Sequence, residues 1–224
     1  KQNTIKPGRA ASGMVALEIK VENQKGETVL HFWRCPMIPC RDPDAKTGHD
    51  DDFGIMPAEI TDEQLLAHVP DWHFAAYRAR YPSASEPLMV GQTLRVEAAD
   101  TVTCAPELVR MTLNLAMTHT DATRSVYGKR LVYGGHTISI ASKQLAMGLP
   151  HILQILAWYR CDHVGPVFEG DILSSQITIK DTHKVQDATV AKLSVEVFAK
   201  RGPEAPSDLP DAKVLDWSLA ALLP

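Results

Sequence analysis

Four strand-length segments follow one another between residues 152 and 222, directly after a single segment, 136–149, that is apolar around almost its whole circumference. Few folds accommodate both features. In 136–149 the residues Ile138, Ile140, Ala141, Leu145, Ala146 and Met147 leave little polar arc, which predicts a helix buried on all sides. Gly148 and Pro150 supply its end. Segments 152–161, 172–180, 190–200 and 213–222 read as strands, and Leu193, Val195 and Val197 alternate with polar residues as a half-buried strand does. One buried helix followed by four strands predicts an α+β architecture, with an antiparallel sheet wrapped around the helix.

The front of the chain has a different rhythm. In "MVALEIKVE" (14–22), Val15, Leu17, Ile19 and Val21 share one face opposite Glu18, Lys20 and Glu22; the turn "NQKGE" and the run "TVLHFWRCPMIP" follow, so 14–38 reads as a β-hairpin. A lone hairpin is marginal in water, and nothing ahead of it supplies partner strands. Residues 41–57 are rich in Asp, Gly and Pro and read as a linker. His49 beside Asp50, Asp51 and Asp52 reads as a solvated acidic loop rather than a metal shell, because neighbours on a loop seldom converge on one ion. A second unit is expected from Ala58. Within it "VGQTLRVEAADTVT" (90–103) resembles a strand, and Thr103 is expected to cap a helix over "CAPELVRMTLNLAM", with Leu108, Met111, Thr112 and Leu115 at core spacing.

With 45% hydrophobic and 22% charged residues, a chain of 224 has enough apolar material for a sizeable core. A formal net charge of −4 provides no general basic field, so nucleic acid is not an expected partner. No apolar run approaches the roughly 20 residues that span a bilayer. Cys35, Cys40, Cys104 and Cys161 lack C-x-x-C or zinc-finger spacing, consistent with a reducing, cytoplasmic compartment and no metal site.

The helix 136–149 is preceded by "RLVYGGH" (130–136), which sets Gly134 and Gly135 at its entrance. The two glycines can make a tight strand-to-helix turn, or let a ligand approach bare N–H groups at a helix N-terminus.

The stretches "NLAMTH", "YGKRLVYGGHTIS", "CDHVGPVFEGD" and "VLDWSLAALL" together cover most of 90–224 and resemble the MaoC-like hotdog hydratases, in particular the mesaconyl-CoA (2-methylfumaryl-CoA) hydratase and β-methylmalyl-CoA dehydratase group. The stretch "GETVLHFWRCPMIPCRD" resembles the end of a preceding hotdog in double-hotdog proteins of this kind. The resemblance implies terminal strands of an incomplete first hotdog in 1–41, a linker in 42–57 and a hotdog domain in 58–224, the second half of a double-hotdog arrangement. The missing part of the first hotdog is then expected from another subunit or from residues absent here. It further implies an acyl-CoA thioester substrate bound beside the helix N-terminus, no cofactor, and homo- or hetero-oligomers joined through their sheets.

Hydration of an α,β-unsaturated thioester needs a base for water, an acid for the α-carbon, and donors for the developing thioester oxyanion. MaoC-like enzymes place such groups on a D-x-N-P-x-H pattern. Allowing a short deletion after His119, the matching residues here run from Asn114 to His119. Asn114 stands where the family has its acid, and Ala116 replaces the second polar residue. Asn114 cannot be a base but can orient water; His119 is then the base, or else merely caps helix carbonyls. Gly134 and Gly135 would expose N–H donors to the thioester oxygen, glycine being needed to keep a Cβ from the acyl chain. His136, His163 and Tyr133 are pocket residues or ordinary packing contacts, and Asp162 and Asp171 read as strand ends. The function implied is an acyl-CoA hydratase or dehydratase acting on an enoyl thioester, a mesaconyl-like one included. The alternative is a non-catalytic hotdog subunit supporting an active partner.

Overall fold

A computed structural model describes residues 1–56, 60–67, 69 and 71–224. The expected junction at 57–58 lies outside the described residues. The chain forms two compact units, Lys1–Glu59 and Ile60–Pro224.

In the first unit, β1 (Ser12–Met14) pairs with β4 (Met37–Pro39), and β2 (Leu17–Glu22) with β3 (Thr28–Arg34), both antiparallel. The β2–β3 turn is closed by Asn23, whose Oδ1 accepts from the Lys25 and Glu27 amides, with Gly26 at φ +77°. The hairpin expected over 14–38 is thus two short ladders. Leu17, Val21, Leu30 and Phe32 are all exposed within it.

The second unit opens with α1 (Asp62–Leu66), started by a capping box in which Thr61 and Gln64 exchange hydrogen bonds. Next come α2 (Ala75–Arg80), β5 (Thr93–Arg95), β6 (Asp100–Thr101), α3 (Ala105–Met111) and α4 (Gly134–Gly148). The chain closes with β7 (Gln154–His163), β8 (Ile172–Val185), β9 (Ala188–Lys200) and β10 (Ala212–Leu223). These strands form one antiparallel sheet of order β5-β8-β9-β10-β7, with β6 also on β8. The β8–β9 link is only Gln186 and Asp187, and Gln186 takes φ +50° to turn it.

Alternation along the strands divides the sheet into two apolar faces. On one, Leu173, Ile177, Leu193, Val195, Leu215 and Trp217 pack with Ala141 and Leu145 of α4. On the other, Ala188, Val190, Ala220 and Leu222 are covered by Leu65 and Phe74. The segment around α1 and α2 is therefore a second covering layer that the residue pattern did not announce. It is pinned by Asp187, which accepts from the Phe74 amide at 2.6 Å and pairs with Arg78.

The helix α4 is not buried all round. A helix lying on one sheet buries one stripe, here Thr137, Ala141, Gln144 and Leu145 at i, i+4, i+7 and i+8. Ala146 and Met147 face outward, Met147 being 51% exposed. The expected helix over 104–117 is also shorter than its pattern. Its N-cap is Cys104 at φ +57° rather than Thr103, and no side chain caps it. Its end is a Schellman-type turn, with Leu113 at φ +54° and the Asn114 amide donating to the Val109 carbonyl at 3.1 Å. Met111 (78%) and Leu115 (90%) are consequently exposed, whereas Ala105 and Val109 are buried.

The buried stripe of α4 carries two polar residues, Thr137 and Gln144. Gln144 donates to Asp100 at 2.8 Å and to the Leu173 carbonyl at 2.9 Å, and accepts from Ser175 Oγ at 2.6 Å. All of its polar atoms are engaged, so its burial is compensated. Hydrogen bonds from Lys143 and then Gln144 hold the Asp100 carboxyl below its ordinary range. A depressed carboxyl contributes stability above its unfolded pKa of about 3.9, and that contribution is lost as pH falls through the lower folded value. The gap in urea midpoint between the wild type and Asp100→Asn should therefore be widest at neutral pH and narrow on acidification to about pH 3.

Candidate functional site

Between α3 and α4 the chain makes two 3-10 turns, Met117–His119 and Ala122–Arg124. The second is capped by Asp121, whose Oδ1 accepts from both the amide and the hydroxyl of Thr123. The loop is closed by two bonds side by side: the Leu131 amide donates to the Thr118 carbonyl at 3.0 Å, and His119 Nδ1 lies 2.7 Å from the Leu131 carbonyl. A carbonyl only accepts, so Nδ1 carries the proton and the neutral ring presents a bare Nε2. His119 is thus no helix cap; its ring is fixed in one tautomer by the segment leading to α4.

That segment continues through Val132, whose amide donates to the Val167 carbonyl at 2.9 Å, to Tyr133, the extended N-cap of α4. Tyr133 provides no side-chain cap. Its ring stacks edge-on to His119, with centroids 5.8 Å apart. The same ring lies over Gly135: a Cβ there would sit 2.5 Å from Tyr133 Cε1. A Cβ on Gly134 would sit 2.5 Å from His163 Nε2. The rings of Tyr133 and His163 thus occupy the space a Cβ would take at the helix start, a packing reason for the two glycines that stands beside the expectation that they clear a path for an acyl chain. Gly134→Ala should cost about 1–3 kcal/mol through this overpacking. Adding His163→Ala should recover most of the loss in a double-mutant cycle of urea midpoints.

Two further histidines attend the helix start. Burial pushes the His136 imidazole below its ordinary value, with Glu169 opposing, and its Nδ1 is buried without a partner. The protein packed around the His163 ring likewise lowers its pKa, with Asp162 opposing, although one edge of the residue stays open to solvent. Two neutral imidazoles suit the positive end of a helix dipole better than two cations would.

The structure therefore brings together His119, Tyr133, Gly135, Gly134 and His163 through a chain of ring contacts, with His136 on the first turn of α4. Asn114 is not joined to this chain of contacts. Its Oδ1 accepts from the Ala116 amide at 2.9 Å, and among the described residues no hydrogen bond links it to His119. Asp162 pairs with Arg160 on an exposed face. Asp171, read as a strand end, stands immediately before β8 and is fully buried. The Leu131 carbonyl was invisible to motif reading, because a backbone atom leaves no residue signature. A cavity of about 130 Å³ adjoins Leu131 and Val132, lined also by Lys129, Arg130 and Glu169. It is smaller than the roughly 300 Å³ at which small-molecule pockets begin.

This geometry offers an unprotonated imidazole nitrogen near a helix N-terminus whose first N–H groups lack intrahelical partners. Such a pairing suits proton transfer beside a developing oxyanion.

No family model matches the chain. It is 29% identical over 203 residues to mesaconyl-CoA hydratase of Cereibacter sphaeroides, covering 87% of this chain and 58% of that protein. It is 25% identical over 234 residues to β-methylmalyl-CoA dehydratase of Chloroflexus aurantiacus, covering 95% and 65%. The chain thus spans less than two thirds of the length of these curated relatives. Among solved structures, a Mycobacterium tuberculosis protein with a double hotdog fold superposes with a TM-score of 0.78 at 38% identity, over 99% of this chain and 66% of the other. A MaoC domain protein of Chloroflexus aurantiacus superposes at 0.77 and 23% identity, over 100% and 67%, which speaks for the fold alone. With its antiparallel sheet on a glycine-led helix the chain has the hotdog fold, and it is similar to the MaoC-like hotdog hydratases and dehydratases, mesaconyl-CoA hydratase and β-methylmalyl-CoA dehydratase among them.

Proposed function

We propose that this chain serves a hydro-lyase that adds water to, or removes it from, an α,β-unsaturated CoA thioester. The observation that carries the reading is the bond that commits His119 Nδ1 to the Leu131 carbonyl and leaves Nε2 free, with the ring packed against that of Tyr133, the N-cap residue of α4. In hydration, Nε2 takes a proton from water while the oxygen adds to the β-carbon. Negative charge moves to the thioester oxygen, which rests on the N–H groups of Gly134 and Gly135. The imidazolium, steadied by its Nδ1–H···O=C bond to Leu131, returns the proton to the α-carbon. One water is added and the histidine is restored; dehydration is the reverse. Removing one oxyanion donor of this type costs about 3–4 kcal/mol of transition-state stabilisation. Asn114 Nδ2 is left to orient the water, and Tyr133, His136 and His163 form the walls.

The named relatives motivate a mesaconyl-like, branched dicarboxylic acyl group as the substrate. The domain assignment belongs to the same proposal: 1–41 as terminal strands of an incomplete first hotdog, 42–57 as linker, 58–224 as the complete one, with assembly through the sheets. The location proposed is the cytoplasm; among the described residues no helix is long and apolar enough to cross a membrane.

One observation favours a second reading, a non-catalytic subunit. The amide of Asn114 stands where family members have an acid, and its oxygen is committed to a turn. Ultraviolet loss of the conjugated enoyl-thioester chromophore, on mixing purified chain with mesaconyl-CoA or crotonyl-CoA, separates the two. A catalytic loss supports the hydro-lyase; no loss with either compound, in protein that is folded, supports the subunit.

A further inference from the structure

Asp171 and Arg201 form an ion pair away from the proposed reacting atoms, with Asp171 fully buried and the Arg201 side chain 9% exposed. The Asp171 carboxylate meets three N–H donors. Oδ2 accepts from the Phe168 amide at 3.0 Å and Arg201 Nη1 at 2.8 Å, and Oδ1 accepts from the Gly202 amide at 2.8 Å. Arg201 in turn donates to the carbonyls of Pro166 and Pro210, both at 2.9 Å. The turn 166–171 is thereby tied at both its ends to the link between β9 and β10. In the middle of that turn is Val167, whose carbonyl accepts the Val132 amide. Val132 lies between Leu131, which fixes the His119 ring, and Tyr133, which caps α4.

From this continuous path we infer that Asp171 is a positioning residue for His119, acting through Val167, Val132 and the Leu131 carbonyl. As a link to catalysis it rests on the hydro-lyase reading; as a link to the histidine ring it does not. The chemistry of the knot makes it sensitive to one atom. Both carboxylate oxygens face N–H groups, so either orientation of an amide at 171 sets an NH₂ against a donor. Relief requires the 166–171 turn to move, and Val132 with it. A misplacement of about 1 Å at the reacting group can cost about 10²-fold in rate.

The test is histidine-labelled ¹⁵N NMR of the unliganded full chain, wild type against Asp171→Asn, with the His119 signals assigned by their loss in His119→Gln. The wild type should show one neutral tautomer, protonated at Nδ1. Asp171→Asn should shift population toward the Nε2–H tautomer and lower kcat about 10²-fold with KM little changed. Arg201→Lys keeps the charge but loses the forked contacts to Pro166 and Pro210, and should shift the ring in the same direction. It carries the test if Asp171→Asn does not fold. A folded variant in which the His119 tautomer is unchanged overturns the inference. If the wild type hydrates no enoyl-CoA, the hydro-lyase reading fails while the ring signals still decide the coupling.

Discussion

On the hydro-lyase reading, His119→Ala should lower the turnover of an enoyl-CoA by about 10²–10⁴-fold, the range for loss of a positioned general acid–base group. The loss should fall on kcat, because the imidazole moves a proton rather than holding the substrate. His119→Gln should be equally slow, since an amide has no titratable nitrogen near neutral pH. Asn114→Ala should cost less than His119→Ala: it removes an orienting amide, not a proton acceptor. Asn114→Asp restores a carboxylate where family members have one, and raises the rate if the rest of the site is intact. Steady-state rates of the four variants on one substrate check the order. A His119→Ala rate equal to wild type would transfer the chemistry to another group.

The largest stability effect should come from Trp217→Ala. Trp217 is fully buried in the face of the sheet that packs α4, edge-on to Trp158 at 5.0 Å. Truncating a buried Trp leaves a cavity the sheet cannot close, at a cost of about 3–5 kcal/mol. Its buried indole N–H has no hydrogen-bond partner among the described residues. Trp217→Phe removes that unpaired donor along with part of the volume, so it should cost much less than alanine. Urea unfolding of the three proteins measures both differences; equal losses for alanine and phenylalanine would show that volume is not what Trp217 contributes.

The residues disclose the sheet more readily than the site. Leu193, Val195 and Val197 alternate because one face of β9 meets the helix layer and the other does not, and period-two patterning reports that directly. α4 was legible as a helix but not in its exposure. Ala146 and Met147 are apolar yet face outward, and composition cannot distinguish an apolar residue in a core from one on a surface. The helix over 105–111 was over-read because Leu113 adopts a left-handed conformation that leucine seldom takes. The strap from α1 to α2 was missed because its docking depends on Asp187, more than a hundred residues away.

At the site, the glycine pair was visible, but the rings packed against it were not. The rings of His163 and Tyr133 that need the space arrive from β7 and from the preceding residue, and spacing alone does not say which neighbour a missing Cβ accommodates. His119 was reachable through the family pattern; the carbonyl that fixes its tautomer was not. The buried Asp171–Arg201 knot lay outside any motif, since its partners are largely backbone groups.

In the proposed site His119 Nε2 and the N–H groups at the start of α4 face a single ligand. Titration of ¹⁵N-labelled chain with a non-reactive thioether analogue of an enoyl-CoA, followed through the Gly134 and Gly135 amides and the His119 ring nitrogens, tests it. All of these signals should move together and fit one dissociation constant. Glycine amides that shift while the His119 ring stays unperturbed, or the two sets following different affinities, would contradict it.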